Sequence, residues 1–381
     1  MQPVIPFNKP YLSGRETQYI EEAVRSGKIS GDGMFTKRCH EFFERKLGAA
    51  KVLLTTSCTD ALEMAAILLD IKPGDEVIMP AYTFVSTSNA FVLRGANIVF
   101  ADSTAENPNL DAAALEGLVT LRTRAIVPVH YAGIACDMDA ILAVAGRHGL
   151  AVVEDAAQAI DSYHNGRPLG TLGALGAFSF HETKNIISGE GGMLAINDPA
   201  HAQRAEIIRE KGTNRSSFFR GEVDKYGWVD MGSSFLPSDI IAAFLWAQLE
   251  HLDDIQARRK AIWLRYHDAF AALPALGVGL PHLPAFATNN GHMFYLVTRD
   301  LAERTALIAY LKELQVFPVF HYLSLHTSPY YAARHDGRSL PWAGHYADCL
   351  VRLPLFYELS EADQQRVIDG VLEFYAGPLV S

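Results

Sequence analysis

Short runs of β-branched and other apolar residues recur between residues 50 and 200, separated by stretches with helical spacing. The runs are KVLLTTS (51–57), EVIMP (76–80), NIVFADS (97–103), AIVPVH (125–130), AVVEDA (151–156), GAFSFH (176–181) and GMLAIN (192–197). Several are apolar nearly throughout, as strands are when helices cover both faces of their sheet. The pattern predicts a large α/β domain with a mostly parallel sheet.

The pattern of apolar and polar residues changes near residue 250, where a long helical run (237–256) leads into a charged stretch. The remainder predicts a smaller α+β domain, with a strand at 292–298, a helix at 303–315, a strand at 316–320 and a last helix at 360–376. We therefore expect two domains, 1–250 and 251–381.

Composition narrows the class of protein. The 381 residues are 49% hydrophobic and 20% charged, and 33 Lys and Arg against 43 Asp and Glu give a net charge of −10. Nucleic acid and anionic membranes are therefore not expected partners. The sequence has no signal-peptide pattern and no apolar run long enough for a membrane span, which predicts a cytoplasmic protein. Four well-separated cysteines without CxxC indicate reduced thiols, and no metal site is predicted.

The segment Thr55–Leu62 predicts a strand that runs into a helix (59–70) through small hydroxyl residues. Such a junction points free backbone N–H groups and the positive end of the helix outward, which suits a phosphate. The alternative is that Ser57 or Thr59 serves only as the N-cap of the helix.

Asp155 stands at the carboxyl end of an apolar strand, where open α/β sheets bind their ligands. A buried carboxylate needs a partner, which is either a cofactor or a structural salt bridge or helix cap. Gln158 would lie on the same side of the following turn.

Lys184 follows another strand and precedes the glycine-rich turn Ser188–Gly192. A lysine in such a cleft forms a Schiff base once its amine is neutral, whereas most lysines are solvated surface charges. Together, a phosphate seat, a carboxylate at a strand end and a cleft lysine are the contacts that pyridoxal phosphate (PLP) requires.

The motifs SCTDAL, VEDAAQ, FSFHETKN and GEGG resemble those of the DegT-type sugar-nucleotide aminotransferases, and the resemblance extends over essentially the whole chain. It implies the PLP-dependent transferase fold type I, which is aspartate-aminotransferase-like. Lys184 would be the Schiff-base lysine and general acid/base, Asp155 the pyridinium partner, and Gln158 a contact near the phenolic oxygen or the ring of PLP. The remaining cofactor contacts would be the phosphate-binding Ser57, Cys58, Thr59 and Ser179 and the ring-stacking Phe84.

Longer stretches are similar to family members that use L-glutamate to aminate C4 of dTDP-4-keto-6-deoxy-D-glucose: 128–136, 206–226, 244–250, 292–296 and 319–322. The resemblance thus implies a dTDP-sugar and L-glutamate as substrates, and a role in deoxyaminosugar and cell-surface polysaccharide biosynthesis. Arg215 and Arg220 lie in a basic segment suited to a diphosphate, and His181 and His321 are further candidate substrate contacts. A solvated loop and a structural histidine are the respective alternatives.

A homodimer with shared active sites is expected from the fold and from the apolar helix 240–249. Where the family usually carries an Asn that reaches the neighbouring phosphate, this chain has Ser234, within Gly232–Phe235. The alternatives are the same chemistry on a 3-keto or GDP-linked sugar, and a regulatory PLP-binding protein without turnover. Lys184 argues against the family's dehydratases, which have histidine there, and the lack of GxGxxG after a strand argues against a nicotinamide enzyme.

Overall fold

The computed structural model describes residues 3–377, and its central feature is a seven-stranded sheet. The strands up to residue 200 are β1 (Lys51–Thr55), β2 (Glu76–Pro80), β3 (Asn97–Ala101), β4 (Thr123–Ile126), β5 (Ala151–Asp155), β6 (Tyr163–His164), β7 (Arg167–Pro168), β8 (Leu175–Ser179) and β9 (Gly192–Ile196). The large sheet has the order β1-β9-β8-β5-β4-β2-β3, while β6 and β7 pair with each other. All seven predicted strands are in this sheet.

The sheet is mostly parallel, as predicted. The β3, β2, β4, β5 and β8 strands pair in parallel, and β9 is antiparallel to both of its neighbours. The carboxyl ends of β1, β5 and β8 therefore meet at one edge of the sheet. Open parallel sheets bind their ligands at this edge.

Helices cover both faces of the sheet. In the described range the α-helices are α1 (Glu16–Arg25), α2 (Met34–Leu47), α3 (Cys58–Leu68), α4 (Val85–Val92), α5 (Met138–His148), α6 (Ala202–Arg209), α7 (Arg215–Phe219), α8 (Asp239–Leu249), α9 (Leu252–Ala269), α10 (Leu301–Glu313), α11 (Pro341–Cys349) and α12 (Glu361–Ala376). Val152 packs in one core cluster and Val153 in another, on opposite faces. Burial on both faces explains why several of these strands are apolar nearly throughout.

The helical run predicted over 237–256 forms two helices, because the helix is interrupted at Glu250 and His251 between α8 and α9. The predicted last helix is α12, and Ser360 caps it by accepting a 3.0 Å hydrogen bond from the backbone N–H of Asp363. None of the helices within residues 3–377 combines the length and apolar character needed to cross a bilayer.

The C-terminal third forms a small antiparallel sheet, β10 (Phe294–Val297), β12 (Leu350–Leu353) and β11 (Val319–Phe320), in that order. The strand predicted at 316–320 is thus only two residues long. Parts of α9, α10 and α12 pack against this sheet in a third core cluster, which also contains Ile5. The division of the chain at residue 250 stays a prediction.

Candidate active site

A cavity of about 720 Å³ lies where the carboxyl edge of the large sheet faces the small sheet. It contains every residue predicted to contact the cofactor, together with two of the candidate substrate contacts. These lining residues are Ser57, Cys58, Thr59, Phe84, Asp155, Gln158, Ser179, His181, Lys184 and His321. Segments more than 100 residues apart in sequence therefore meet in one site.

The N-terminus of α3 opens into this cavity. Ser57 is the N-cap, and its Oγ accepts a 3.1 Å hydrogen bond from the backbone N–H of Asp60. Helix geometry leaves the N–H groups of Cys58 and Thr59 without intrahelical acceptors. The hydroxyl of Thr59 donates to Oγ of Ser86 over 2.8 Å. The free amides and the helix dipole suit a bound anion.

Gly192 allows β9 to lie directly against this helix start. A Cβ at this position would be 2.4 Å from the backbone N of Cys58 and 2.4 Å from the carbonyl C of Ser57. Real Cβ atoms do not approach backbone so closely, so any larger residue would displace the turn. The glycine-rich motif thus supports the shape of the anion site.

Asp155 ends β5 and is buried beneath the cavity. Its Oδ2 accepts a 2.7 Å hydrogen bond from Oγ1 of Thr87, and its Oδ1 accepts one of 3.1 Å from the backbone N–H of Ala157. Burial raises the pKa of Asp155, and these two bonds act in the opposite direction. Both donors are neutral, so the carboxylate is suited to a cationic ligand group.

The adjacent carboxylate, Glu154, has a structural environment. It is fully buried and accepts backbone hydrogen bonds from Gly170 (2.7 Å), Leu172 (2.6 Å) and Gly173 (2.7 Å). Nε2 of His130 lies 2.9 Å from its Oε2. Successive strand residues point to opposite faces, so Glu154 holds the fold while Asp155 faces the cavity.

Lys184 lies on the turn after β8 and lines the same cavity as Asp155 and the start of α3. Its backbone N–H donates to the carbonyl of His181 over 2.9 Å, which fixes the turn. Burial lowers the pKa of its ammonium group, while the negative charge of Asp155 acts in the opposite direction. Burial thus increases the fraction of neutral amine, the form that adds to an aldehyde.

A family model described as the DegT/DnrJ/EryC1/StrS aminotransferase family matches residues 10–372. This chain belongs to that family. The predicted family resemblance and the fold type are therefore confirmed.

Known relatives of this aminotransferase are similar over almost their full length. The spore coat polysaccharide biosynthesis protein SpsC of Bacillus subtilis (strain 168) is 35% identical over 386 residues, covering 98% of this chain and 97% of SpsC. DesV of S. venezuelae has a TM-score of 0.90 at 32% identity, covering 99% of this chain and 100% of DesV. The PLP-form of Spr1654 from Streptococcus pneumoniae has a TM-score of 0.88 at 26% identity, covering 96% and 97% of the two chains.

Membership of this aminotransferase family confirms the prediction that PLP is the cofactor. The residues of the cavity fit the functional groups of PLP. The anion site at α3 matches a phosphate, and the buried carboxylate of Asp155 matches a protonated pyridine nitrogen. The amine of Lys184 matches the aldehyde.

Gln158 connects the large sheet to the C-terminal third. Its Oε1 accepts a 2.6 Å hydrogen bond from the backbone N–H of Ala132, and its Nε2 donates to the hydroxyl of Tyr322 over 3.2 Å. Tyr322 has a φ of 53°, a left-handed conformation that a bulky residue rarely adopts. Its ring lies 6.0 Å from that of Phe84, which is 54% exposed at the start of α4.

Both candidate histidines have partners within the aminotransferase. Nδ1 of His181 lies 3.0 Å from Oγ1 of Thr183, and its Nε2 lies 3.7 Å from Glu190 at the cavity mouth. Nδ1 of His321 lies 2.8 Å from the hydroxyl of Tyr131, and burial lowers its pKa well below the usual value.

Arg215 and Arg220 are not in this cavity. They line a second cavity of about 1220 Å³, where Arg215 pairs with Glu210 (2.9 Å) and Arg220 with Glu206 (2.9 Å). Ser234 is exposed and also lies outside the Lys184 cavity. Within one chain, none of these three side chains reaches the predicted site.

Sequence analysis did not single out Thr87 or Arg352, although both line the cavity. Thr87 is three residues after Phe84, in the first turn of α4, and this spacing was the available signal. Arg352 carries no such signal, because its place depends on how β12 faces the large sheet.

Proposed function

We propose that this aminotransferase transfers the amino group of L-glutamate to C4 of dTDP-4-keto-6-deoxy-D-glucose, giving dTDP-4-amino-4,6-dideoxy-D-galactose. The observation that carries the transaminase chemistry is the convergence of Lys184, Asp155 and the N-terminus of α3 on one cavity. PLP, when bound, supplies an electron sink for charge that develops at the substrate carbon.

Each of these groups has a defined role in the proposal. Asp155 keeps the pyridine nitrogen protonated, and its bonds from Thr87 and Ala157 orient it for that contact. Phe84 would cover one face of the ring, and Gln158 would contact its edge. The start of α3 and the end of β8 would hold the phosphate, through Ser57, Cys58, Thr59 and Ser179, which all line the cavity.

Lys184 would hold the aldehyde of PLP between turnovers. Its amine, released when the amino group of glutamate takes its place, would take the proton from the carbon that bears this amino group and return it within the same cavity. The keto sugar then passes through the same steps in reverse, so one site serves both substrates in turn. Both steps require the neutral form of this amine, and burial lowers the pKa of Lys184, which favours that form.

The identity of the sugar rests on the resemblance of stretches outside the cofactor motifs. Three of these stretches contribute to the cavity wall, through Val129, His292 and the segment 319–322. Side chains of the wall meet the substrate beyond the cofactor, so similarity there supports a shared sugar.

A homodimer is the second part of the proposal. The apolar helix 240–249 that suggested it is largely buried as α8, packed in the chain's own core with α2. Exposed apolar side chains lie instead between Phe219 and Met231, including Trp228 at 85% exposure. A second copy covering this surface would bury the apolar area and bring the diphosphate-binding candidates Arg215 and Arg220 near a subunit interface.

Purified protein incubated with PLP, L-glutamate and a panel of nucleotide keto sugars tests the proposal, with products identified by NMR. We expect amination at C4 of the dTDP-linked sugar. An amine at C3 of the product, or a preference for a GDP-linked sugar, would overturn the proposed sugar substrate. The proposed transaminase activity would still stand.

Light scattering of the active protein measures its molar mass and tests the dimer. A fully active monomer at the assay concentration would exclude the dimer.

Arg215→Gln and Arg220→Gln should raise the KM for the sugar nucleotide more than that for glutamate. Equal effects on both KM values would remove these arginines from diphosphate binding.

A further inference from the structure

Tyr131 and His321 form a hydrogen-bonded pair in the wall of the active-site cavity. The hydroxyl of Tyr131 lies 2.8 Å from Nδ1 of His321. Tyr131 is buried behind the wall, whereas His321 borders the cavity. Nε2 of His321 has no hydrogen-bond partner within residues 3–377. The protein thus binds one ring nitrogen, and the described residues leave the other to a ligand.

The backbone on both sides of this pair is held in place. The backbone N–H of Tyr131 donates to Oδ1 of Asn109 over 2.9 Å. Tyr322, which follows His321, has a φ of 53° and accepts a 3.2 Å hydrogen bond from Nε2 of Gln158 on its hydroxyl. The centroids of the Tyr322 and His321 rings are 3.5 Å apart. A bulky residue keeps a left-handed conformation only where its surroundings hold it, and such residues cluster at functional sites.

The direction of the hydrogen bond follows from the protonation of both partners. Burial raises the pKa of Tyr131 well above its usual value, so the hydroxyl stays protonated. Burial lowers the pKa of His321 well below its usual value, so the imidazole is neutral and carries one proton. The nearby hydroxyl of Tyr82 donates to the backbone carbonyl of His321. An imidazole nitrogen is a more basic acceptor than a phenol oxygen, so Tyr131 donates to Nδ1 rather than to Tyr82.

This hydrogen bond decides which nitrogen of His321 carries the proton. With Nδ1 as the acceptor, the proton of a neutral imidazole is on Nε2. The cavity therefore has a neutral N–H donor in its wall. Phe320 and Tyr322 line the cavity on either side of His321 and offer aromatic ring faces next to this donor.

We propose that Tyr131 is a positioning residue that holds His321 as the Nε2–H tautomer, and that this N–H donates to a hydroxyl or keto oxygen of the sugar. The inference rests on the proposed function, because the second substrate is taken to be a keto sugar. A neutral N–H suits a neutral oxygen, whereas the carboxylates of glutamate are better matched by charged donors. Aromatic faces beside the donor also suit the C–H groups of a sugar better than they suit a charged group.

Nitrogen-15 NMR of the histidines in the holoenzyme reads the tautomer without turnover. We expect His321 to show a protonated Nε2 and an unprotonated Nδ1, with the signal identified by its loss in His321→Gln. In Tyr131→Phe the share of the Nε2–H form should fall, because the donor to Nδ1 is gone. A wild-type His321 that carries its proton on Nδ1, or a tautomer unchanged in Tyr131→Phe, would overturn the positioning role.

Calorimetric titration of the holoenzyme separates the sugar from the rest of the nucleotide. The ligands are dTDP alone and dTDP-6-deoxy-D-glucose, which has no ketone and is not aminated. Tyr131→Phe should bind the sugar nucleotide roughly three- to tenfold more weakly, because the imidazole loses its fixed tautomer and orientation. Its affinity for dTDP, and the rate of its glutamate half-reaction, should equal those of the wild type.

Tyr295→Phe is the matched control. Its ring centroid lies 5.8 Å from that of Tyr131, and its buried hydroxyl has no hydrogen-bond partner within the described range. Tyr295→Phe therefore removes the same atom from the same neighbourhood without removing a hydrogen bond. It should bind both ligands like the wild type, and a loss equal to that of Tyr131→Phe would overturn the proposal.

His321→Gln tests whether Tyr131 acts through His321. The glutamine amide has its own N–H donor, which depends on no tautomer. We expect His321→Gln to bind dTDP-6-deoxy-D-glucose within about threefold of the wild type, and Tyr131→Phe to have no further effect in that background. Additive effects of the two substitutions would show that Tyr131 does not act through His321.

The remaining outcomes distinguish this inference from the proposed function. Unchanged affinity of Tyr131→Phe for the sugar nucleotide, or an equal loss for dTDP alone, would overturn the contact with the sugar. If Tyr131→Phe does not retain PLP, the tautomer of His321 in the wild type carries the test. A wild-type holoenzyme that binds no dTDP-linked sugar would instead overturn the proposed substrate, and the NMR result would still decide the role of Tyr131.

Discussion

Oγ1 of Thr87 donates a 2.7 Å hydrogen bond to Oδ2 of Asp155. Because its proton is used in this bond, Thr87 accepts the 2.9 Å bond that links it to Oγ1 of Thr83. Two hydroxyls at the start of α4 thus form a chain that ends on the carboxylate. Such a chain polarises its members and fixes the side chain that it ends on.

Replacing Thr87 with valine keeps its shape and removes this hydrogen bond. We expect Thr87→Val to lower both PLP affinity and kcat by about tenfold, since hydrogen bonds to charged groups contribute ~1.5–3 kcal/mol. Thr87→Ser keeps the hydroxyl and should remain within about threefold of the wild type. Fluorescence titration with PLP and steady-state kinetics measure both, and equal effects of the two variants would show that the hydroxyl has no role.

Replacing each of the neighbouring carboxylates, Asp155 and Glu154, with the matching amide should have different effects on activity and stability. Asp155→Asn should retain the thermal unfolding midpoint of the apoprotein but lose roughly a hundredfold or more in kcat, because a neutral amide cannot stabilise a protonated pyridine nitrogen. Near-normal single-turnover rates in Asp155→Asn would show that this carboxylate is only structural.

Glu154→Gln is the control for Asp155→Asn. Its amide NH2 would face two hydrogen-bond donors in a fully buried site, so we expect a loss of about 2 kcal/mol in unfolding free energy. Equal stability of Glu154→Gln and the wild type would remove the distinction between the two carboxylates.

The close approach at Gly192 predicts that Gly192→Ala displaces the start of α3 and weakens PLP binding by tenfold or more, with a loss of stability of roughly 1–3 kcal/mol. Gly146 is the matched control, because it lies within α5 and a Cβ there meets nothing within 4 Å. Gly146→Ala should stabilise the protein by about 0.5–1 kcal/mol and leave PLP affinity unchanged. Tight PLP binding by Gly192→Ala would contradict this role of the glycine.

The lowered pKa of Lys184 predicts how PLP recombines with the apoenzyme as pH changes. The neutral amine is the reactive form, so the recombination rate should rise with pH through the pKa of Lys184 and then level off. Because burial lowers that pKa, the midpoint should lie below the usual lysine value of about 10.4. Stopped-flow absorbance across the pH range measures it, and a midpoint at or above the usual value would contradict the burial argument.

The large sheet was predictable because burial on both faces leaves a continuous apolar run in the sequence, as in β9. The convergence of the predicted cofactor contacts on one cavity was predictable because their motifs follow strands that end at one edge. Small-sheet strands were harder: β11 has two residues, and its place depends on pairing with β12.

The sequence shows that Arg215 and Arg220 lie in a basic segment, but it does not show which carboxylates pair with them. Glu206 and Glu210 lie in the same stretch as Arg215 and Arg220, and the pairs form only when the chain folds. Arg352 is a different case, because no local pattern in the sequence indicates that it lines the cavity. Its position there depends on three-dimensional packing.

The central claim is that Lys184 is the residue that carries the cofactor. Reduction of the holoenzyme with borohydride fixes PLP to the lysine that holds it, and mass spectrometry of the digested protein locates the added mass. The account predicts the adduct on the peptide that contains Lys184, with none in Lys184→Ala. An adduct on another lysine of the wild-type protein, or none, would contradict it.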